Sequence, residues 1–178
     1  MAQYLKTIKN DMIVYGRNPN RYERHTVTNL ETSPSPGTNT VRFKGIVHGK
    51  TGNYITQVQF FNVDFAEEKD KEHSELVSVD GKPVFHMKPR INTNPVFMKF
   101  SCDDFRFTWE YPAALKGALV GNWRRYTRKT PPIPHRPKNA KNPNPIGVDF
   151  KNPENFLGYC KHINSLLYVL RDAKRIGS

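Results

Sequence analysis

The chain has 178 residues, of which 37% are hydrophobic and 12% aromatic, so it can bury the core of one domain and is not disordered throughout. Its net charge of +12 and pI of about 9.8 predict a negatively charged partner: nucleic acid, an anionic membrane surface or an acidic protein. Two cysteines exclude a disulfide scaffold, and the lack of an apolar leader or of a ~20-residue apolar run predicts a soluble protein made in a reducing cytosol.

Residues 1–40 are predicted to be a lead-in to the main domain. The segment from Tyr4 to Val14 fits either a short helix or a strand. The stretch 31–40 is rich in serine, threonine, proline and glycine, and this composition predicts a linker or surface loop.

Residues 41–119 are predicted to form a β-rich body. Two β-branched and aromatic runs, 41–48 and 54–65, flank a turn-forming segment at 49–53 and predict a hairpin. A second hairpin is predicted over 76–87, where an Asp-Gly pair separates two apolar runs.

The run 96–102 is predicted to be a further strand of this body. Side chains alternate between the two faces of a strand, so every second residue of the run shares one face. The residues on that face are apolar: Val96, Met98, Phe100 and Cys102. A short helix is predicted from Ala113 to Leu119, ended by Gly121.

Residues 120–155 are predicted to be an extended, basic, proline-rich arm. Between Tyr111 and Val148 the chain has eight lysines and arginines and no acidic residue, and its prolines bias it toward polyproline II. The start of the arm interleaves aromatic and cationic side chains that suit either a protein interface or nucleic acid bases and phosphates. These residues are Trp123, Arg124, Arg125, Tyr126, Arg128 and Lys129. The density of prolines favours a protein partner.

Residues 156–178 are predicted to be an amphipathic helix that packs back on the body. Four apolar residues recur at helical spacing: Ile163, Leu166, Leu167 and Leu170. The predicted fold class is therefore α+β, an antiparallel β-rich domain with a C-terminal amphipathic helix and a long extended proline-rich arm.

Cysteine and histidine residues stand at the ends of two predicted elements. Cys102 closes a strand and is followed by Asp104 and Phe105, while Cys160 and His162 open the last helix. This pattern resembles the SWIM-type zinc finger, in which a Cys-x-Cys-x-Asp-Phe strand end is combined with a Cys-x-His helix start. The resemblance implies a zinc ion held by Cys102, Cys160 and His162, whose side chains are expected to converge on one spot.

The sequence departs from the SWIM pattern at its first cysteine position, where Phe100 stands and cannot bind a metal. Structural zinc has four ligands, so either another group completes the site or the site is metal-free, with Phe100 filling the space. His86 is a weak fourth candidate. If the second hairpin pairs with the strand that ends at Cys102, His86 lies opposite Met98, roughly 13 Å from Cys102 at ~3.3 Å per residue.

Three further features resemble virion structural proteins of tailed bacteriophages: the aromatic strand with Cys102, the Arg-Lys-Thr-Pro-Pro stretch at 128–132 and the Gly-x-Cys-Lys-His helix start at 158–162. This resemblance implies a non-enzymatic component of the neck (head–tail connector), tail or baseplate, made in the host cytoplasm and located in the virion. Its expected partners are other virion proteins and copies of itself, with no membrane. The alternative is a SWIM-class nucleic-acid-binding protein that uses the basic arm on phosphates.

Catalytic patterns are weak in this chain. Cys160 and His162 are two residues apart at a helix start, a spacing that does not present a nucleophile to its base. The segment 45–51 ends in Gly-Lys-Thr, but it has three residues between its glycines rather than four and lies between strands. A turn is the natural interpretation, and no enzyme activity is predicted.

Overall fold

The computed structural model describes residues 2–14, 18–102, 105, 109–121 and 157–177, and it confirms the predicted α+β class. The strands of this part of the chain form two antiparallel sheets. They are Thr26–Ser35 (β1), Thr40–Gly49 (β2), Gly52–Phe60 (β3), Phe65–Ala66 (β4), His73–Val79 (β5), Lys82–Met87 (β6) and Val96–Phe100 (β7). The helices are Leu5–Val14 (α1), Glu110–Leu115 (α2) and Lys161–Asp172 (α3).

The larger sheet has the strand order β1-β2-β3-β7, and its inner face forms much of the core. The predicted hairpin is present as β2 and β3, and β7 pairs with β3. Buried residues therefore line up across the strands in two rows. These rows are Val41–Phe60–Val96 and Phe43–Val58–Met98.

Helix α3 lies on the inner face of this sheet and contacts β1, β2 and β3. All four of its predicted apolar residues are buried, and Leu166 approaches β2 beside Gly45. Helix α1 contributes Leu5, Ile8 and Met12 to the same core. Their spacing of three and four residues explains why this segment is a helix rather than a strand.

The smaller sheet has the order β4-β6-β5 and contains the second predicted hairpin. The assumed pairing of this hairpin with β7 is wrong, because β6 pairs with β4 and β5 whereas β7 pairs with β3. His86 consequently pairs with Phe65 and Glu75 in the smaller sheet, and its Nδ1 lies 2.7 Å from the carbonyl oxygen of Met87.

Two predicted elements have different boundaries in the structure. The linker predicted over 31–40 is wrong for residues 31–35, which are the second half of β1, because β2 supplies backbone partners for a segment of weak strand composition. The helix predicted over 113–119 begins and ends earlier, as α2. Leu119 instead forms a bridge with β7, where the Met98 N–H donates to the Ala118 carbonyl and the Val120 N–H donates to the Met98 carbonyl.

The predicted arm lies outside the described residues apart from Val120 and Gly121, so its extended form stays a prediction. The residues that flank the arm on either side are anchored, because Leu119 before it and Leu157 after it are buried in the core. None of the described helices has the length and apolar character needed to cross a bilayer.

We expect Leu166→Ala to lower the free energy of unfolding by about 2–5 kcal/mol, because it leaves a cavity between α3 and the sheet. Leu166 is 0% exposed, whereas Leu76 on β5 is 59% exposed. The matched variant Leu76→Ala should therefore change stability by no more than about 0.5 kcal/mol. Urea unfolding of both variants measures the difference, and equal effects would contradict the packing of α3 described above.

Candidate metal centre

Strand β7 and helix α3 bring the three predicted ligands together. Cys102 follows β7 on its inner face, Cys160 is the N-cap residue of α3, and His162 lies in the first turn of that helix. Their ligand atoms all lie within 4.8 Å of one another, and all three residues are buried. The predicted convergence is therefore confirmed, and the cluster can hold a metal ion such as zinc.

The distance between the two sulfur atoms suits shared metal binding. The Sγ atoms of Cys102 and Cys160 are 3.8 Å apart, and both thiols are free. A disulfide would require about 2.05 Å. Two thiolates on one tetrahedral zinc, each at about 2.3 Å, are about 3.8 Å apart. The sulfur pair therefore has the spacing of two zinc ligands.

His162 supplies the third donor atom. Its Nδ1 is buried and has no hydrogen-bond partner, which is costly for a polar ring atom in an apolar core. A bound cation would satisfy this atom. Two sulfurs and one imidazole nitrogen are a donor set that zinc prefers, so the residues present fit three of its four positions.

The thiols of the cluster differ in acidity. The hydrogen bond with Cys160 lowers the pKa of Cys102 to about 6, and His162 and the backbone N–H of Phe105 contribute in the same direction. Burial raises the pKa of Cys160 well above its ordinary value. Cys102 is therefore the more acidic of the two thiols, and the thiolate is the form of cysteine that binds a metal.

Aromatic rings surround the His162 imidazole. Phe100, the residue at the lost cysteine position, stacks on it with ring centres 5.0 Å apart and an angle of 15° between the planes. The ring centre of Tyr54 lies 4.7 Å away, and that of His25 lies 5.1 Å away. These contacts restrict the orientation of the imidazole and so position its Nδ1.

Two glycines allow the chain to approach the cluster closely. A Cβ atom at Gly158 would lie 2.4 Å from the ring of Trp109, so only glycine lets the segment before Cys160 pass this ring. A Cβ atom at Gly49 would lie 2.8 Å from Nε2 of His162 and 2.9 Å from the ring of Tyr54. The absence of a side chain at both glycines therefore allows Cys160 and His162 to take up their positions in the cluster.

The remaining predicted site residues are not part of the cluster. His86 lies in the smaller sheet and is absent from the described group of ligand atoms, so the weak fourth candidate is not brought to the site. Asp104 and the arm residues lie outside the described residues. These arm residues are Trp123, Arg124, Arg125, Tyr126, Arg128 and Lys129.

Three residues at the site were missed by sequence reasoning. Tyr54 had a usable signal, because the period of two along β3 places it on the same face as Val58 and Phe60. Gly49 belongs to the turn-forming segment 49–53, and its sequence context indicates only a turn. His25 had no signal, because its position beside α3 depends on the pairing of β1 with β2.

Comparison of the chain with protein-family models, with curated proteins and with solved structures found no match. The fold and the site themselves define the class of this protein, which is an α+β domain with a buried Cys-Cys-His cluster that can hold a metal.

We expect Gly49→Ala to destabilise the protein by about 1–3 kcal/mol, because the new methyl group displaces the rings of His162 and Tyr54. Gly37→Ala is the matched control, since a Cβ atom there meets nothing within 4 Å. Urea unfolding measures both effects. A loss of stability no larger for Gly49→Ala than for Gly37→Ala would show that the His162 ring is not held tightly.

Proposed function

We propose that this protein is a non-enzymatic structural component of a tailed-phage virion, in the neck, tail or baseplate. In this proposal a SWIM-like zinc site stabilises the body, and the basic arm over 120–155 contacts neighbouring subunits. The observation that carries the zinc site is the buried sulfur pair at 3.8 Å beside the unpaired Nδ1 of His162. The virion assignment rests on the resemblance of the sequence patterns.

The position of the cluster supports a structural role for the metal. Its two cysteines are 58 residues apart in sequence, so a bound ion would join the end of β7 to the start of α3 across the arm. Structural zinc sites are closed to solvent and substrate, and the burial of all three ligands agrees with such a site. Zinc would supply binding energy that stabilises the fold, while the chain's own residues supply the apolar core.

The anchored ends of the arm support an assembly role. Leu119 before it and Leu157 after it are buried, so the body holds both ends in place. A proline-rich chain has already lost part of its conformational freedom, which lowers the entropic cost of ordering it on a partner. Trp, Tyr and Arg side chains at the start of the arm are the types that dominate protein interfaces.

We expect the metal-free, reduced protein to take up one zinc ion per chain, and Cys102→Ser, Cys160→Ser and His162→Ala each to abolish tight binding. His86→Ala is the control and should retain the ion, because His86 lies in the smaller sheet. Zinc at 100 times its Kd adds about 2.7 kcal/mol of stability. That corresponds to roughly 5–10 °C in Tm, which a chelator should remove.

Metal analysis and thermal unfolding of the same samples test this prediction. If the wild-type protein takes up no zinc, or if the cysteine variants bind it as tightly as His86→Ala, the proposed zinc site is wrong.

A second candidate function is nucleic-acid binding, and the outer face of the larger sheet favours it. Arg42 and Lys99 point away from the core on this face, and Gln57 lies beside Lys99 on the neighbouring strand. The rings of Phe61 and Phe97 lie together with centres 4.4 Å apart. Cations and aromatic rings on one sheet face suit phosphates and unpaired bases.

Co-sedimentation and salt dependence separate the two candidate functions. The virion proposal predicts that the protein bands with intact, salt-washed particles and binds other virion proteins with little sensitivity to salt. A protein that contacts 6–10 phosphates should lose about 10³–10⁵ in DNA affinity between 50 and 200 mM salt. Absence from purified particles, together with such a steep salt dependence on DNA, would replace the virion proposal with the nucleic-acid one.

A further inference from the structure

His25 lies immediately before β1, with its ring against the imidazole of His162. We propose that His25 is the fourth ligand of the metal site, in place of the cysteine that Phe100 replaces. This inference rests on the proposed zinc site. It gives that site two sulfur and two nitrogen donors, one of the common ligand sets of structural zinc.

The buried nitrogen of the His25 ring is the first support. The residue as a whole is only half-buried, but its Nε2 is buried and makes no hydrogen bond. An imidazole nitrogen in that position loses its hydrogen bonds to water and gains none from the protein. Two such unsatisfied nitrogens, Nε2 of His25 and Nδ1 of His162, therefore belong to neighbouring rings, and one shared cation would satisfy both.

The spacing of the two rings is the second support. Their centres are 5.1 Å apart. Two imidazoles that bind one tetrahedral zinc at about 2.05 Å, with each nitrogen about 1.15 Å from its ring centre, have ring centres about 5.2 Å apart. The two rings are therefore already at a centre-to-centre distance that permits shared binding.

The anchoring of His25 is the third support. Its backbone N–H donates to Oγ of Ser165 at 3.0 Å, and that hydroxyl donates to the carbonyl of Lys161 in the first turn of α3. The histidine is thus attached to the helix that carries His162. Nε2 of His25 is outside the group of atoms within 4.8 Å, so ion binding must draw the ring inward while this anchor holds the backbone.

Within the described residues, His25 is better placed for this role than the other histidines outside the cluster. His86 lies in the smaller sheet, and His73 is held between Asp64 and Asp70. His48 uses both ring nitrogens, at 2.7 Å from Thr28 and 2.8 Å from Asn53. A ligand at His25 would also add the start of β1 to the parts of the fold that the metal joins.

Zinc and cobalt titrations of the full chain test the proposal. In the wild type, Co²⁺ should give the intense visible bands of four-coordinate cobalt. Loss of an outer-shell partner lowers metal affinity by about 10–100-fold, and His25→Ala should lower zinc affinity by more than that. The same variant should weaken the cobalt bands. His48→Ala is the matched control and should bind like the wild type. Circular dichroism confirms that each variant is folded.

A rescue variant separates loss of a ligand from damage to the fold. Residue 100 shares a face with Cys102, so adding Phe100→Cys to His25→Ala supplies a new sulfur donor and should restore four-coordinate cobalt with stronger sulfur charge-transfer absorption. Loss of affinity without this rescue would overturn the proposal.

The remaining outcomes distinguish this inference from the proposed zinc site. If His25→Ala binds zinc as tightly as His48→Ala, His25 is not a ligand, and the site of Cys102, Cys160 and His162 stands without it. If the wild type binds neither zinc nor cobalt, both the proposed site and the role of His25 are wrong.

Discussion

The rest of the structure depends on the burial of the apolar side of α3 against the inner face of the four-stranded sheet. Full burial of an aliphatic side chain contributes about 1.5–3 kcal/mol, so four such residues contribute roughly 6–12 kcal/mol as an upper estimate. That is comparable to the whole net stability of a typical domain. Cys160 and His162 lie at the start of this helix, so the same packing places them beside Cys102.

The cluster combines features that an apolar core alone would disfavour. It brings together two free thiols and an imidazole nitrogen without a hydrogen-bond partner, all shielded from water. Groups of this kind cost stability unless a charge or a hydrogen bond compensates them. A single cation bound by these atoms would satisfy the nitrogen, bind both sulfur atoms and tie β7 to α3, whereas the surrounding aromatic rings only position the imidazole.

The features that depend on local periodicity could be predicted from the sequence. The alternation along 96–102 placed Cys102 on the buried face, and the helical spacing from Ile163 to Leu170 identified α3 and its apolar side. The turn-forming residues of 49–53 and 80–81 marked both hairpins. Each of these signals lies within about a dozen residues, where side-chain direction follows from backbone geometry alone. The three predicted ligands were expected to converge because the apolar side of α3 has to cover the sheet face that carries Cys102.

The pairing of these strands and hairpins with one another could not be predicted from the sequence, because it depends on contacts between distant segments. The second hairpin joins the smaller sheet rather than β7, which removes His86 from the site. Residues 31–35 are a strand because β2 pairs with them, although their composition is typical of a loop. His25 reaches His162 by the same pairing, across more than 130 residues of sequence. Contacts between distant segments depend on the register and order of whole strands, and no periodicity within one segment encodes that choice.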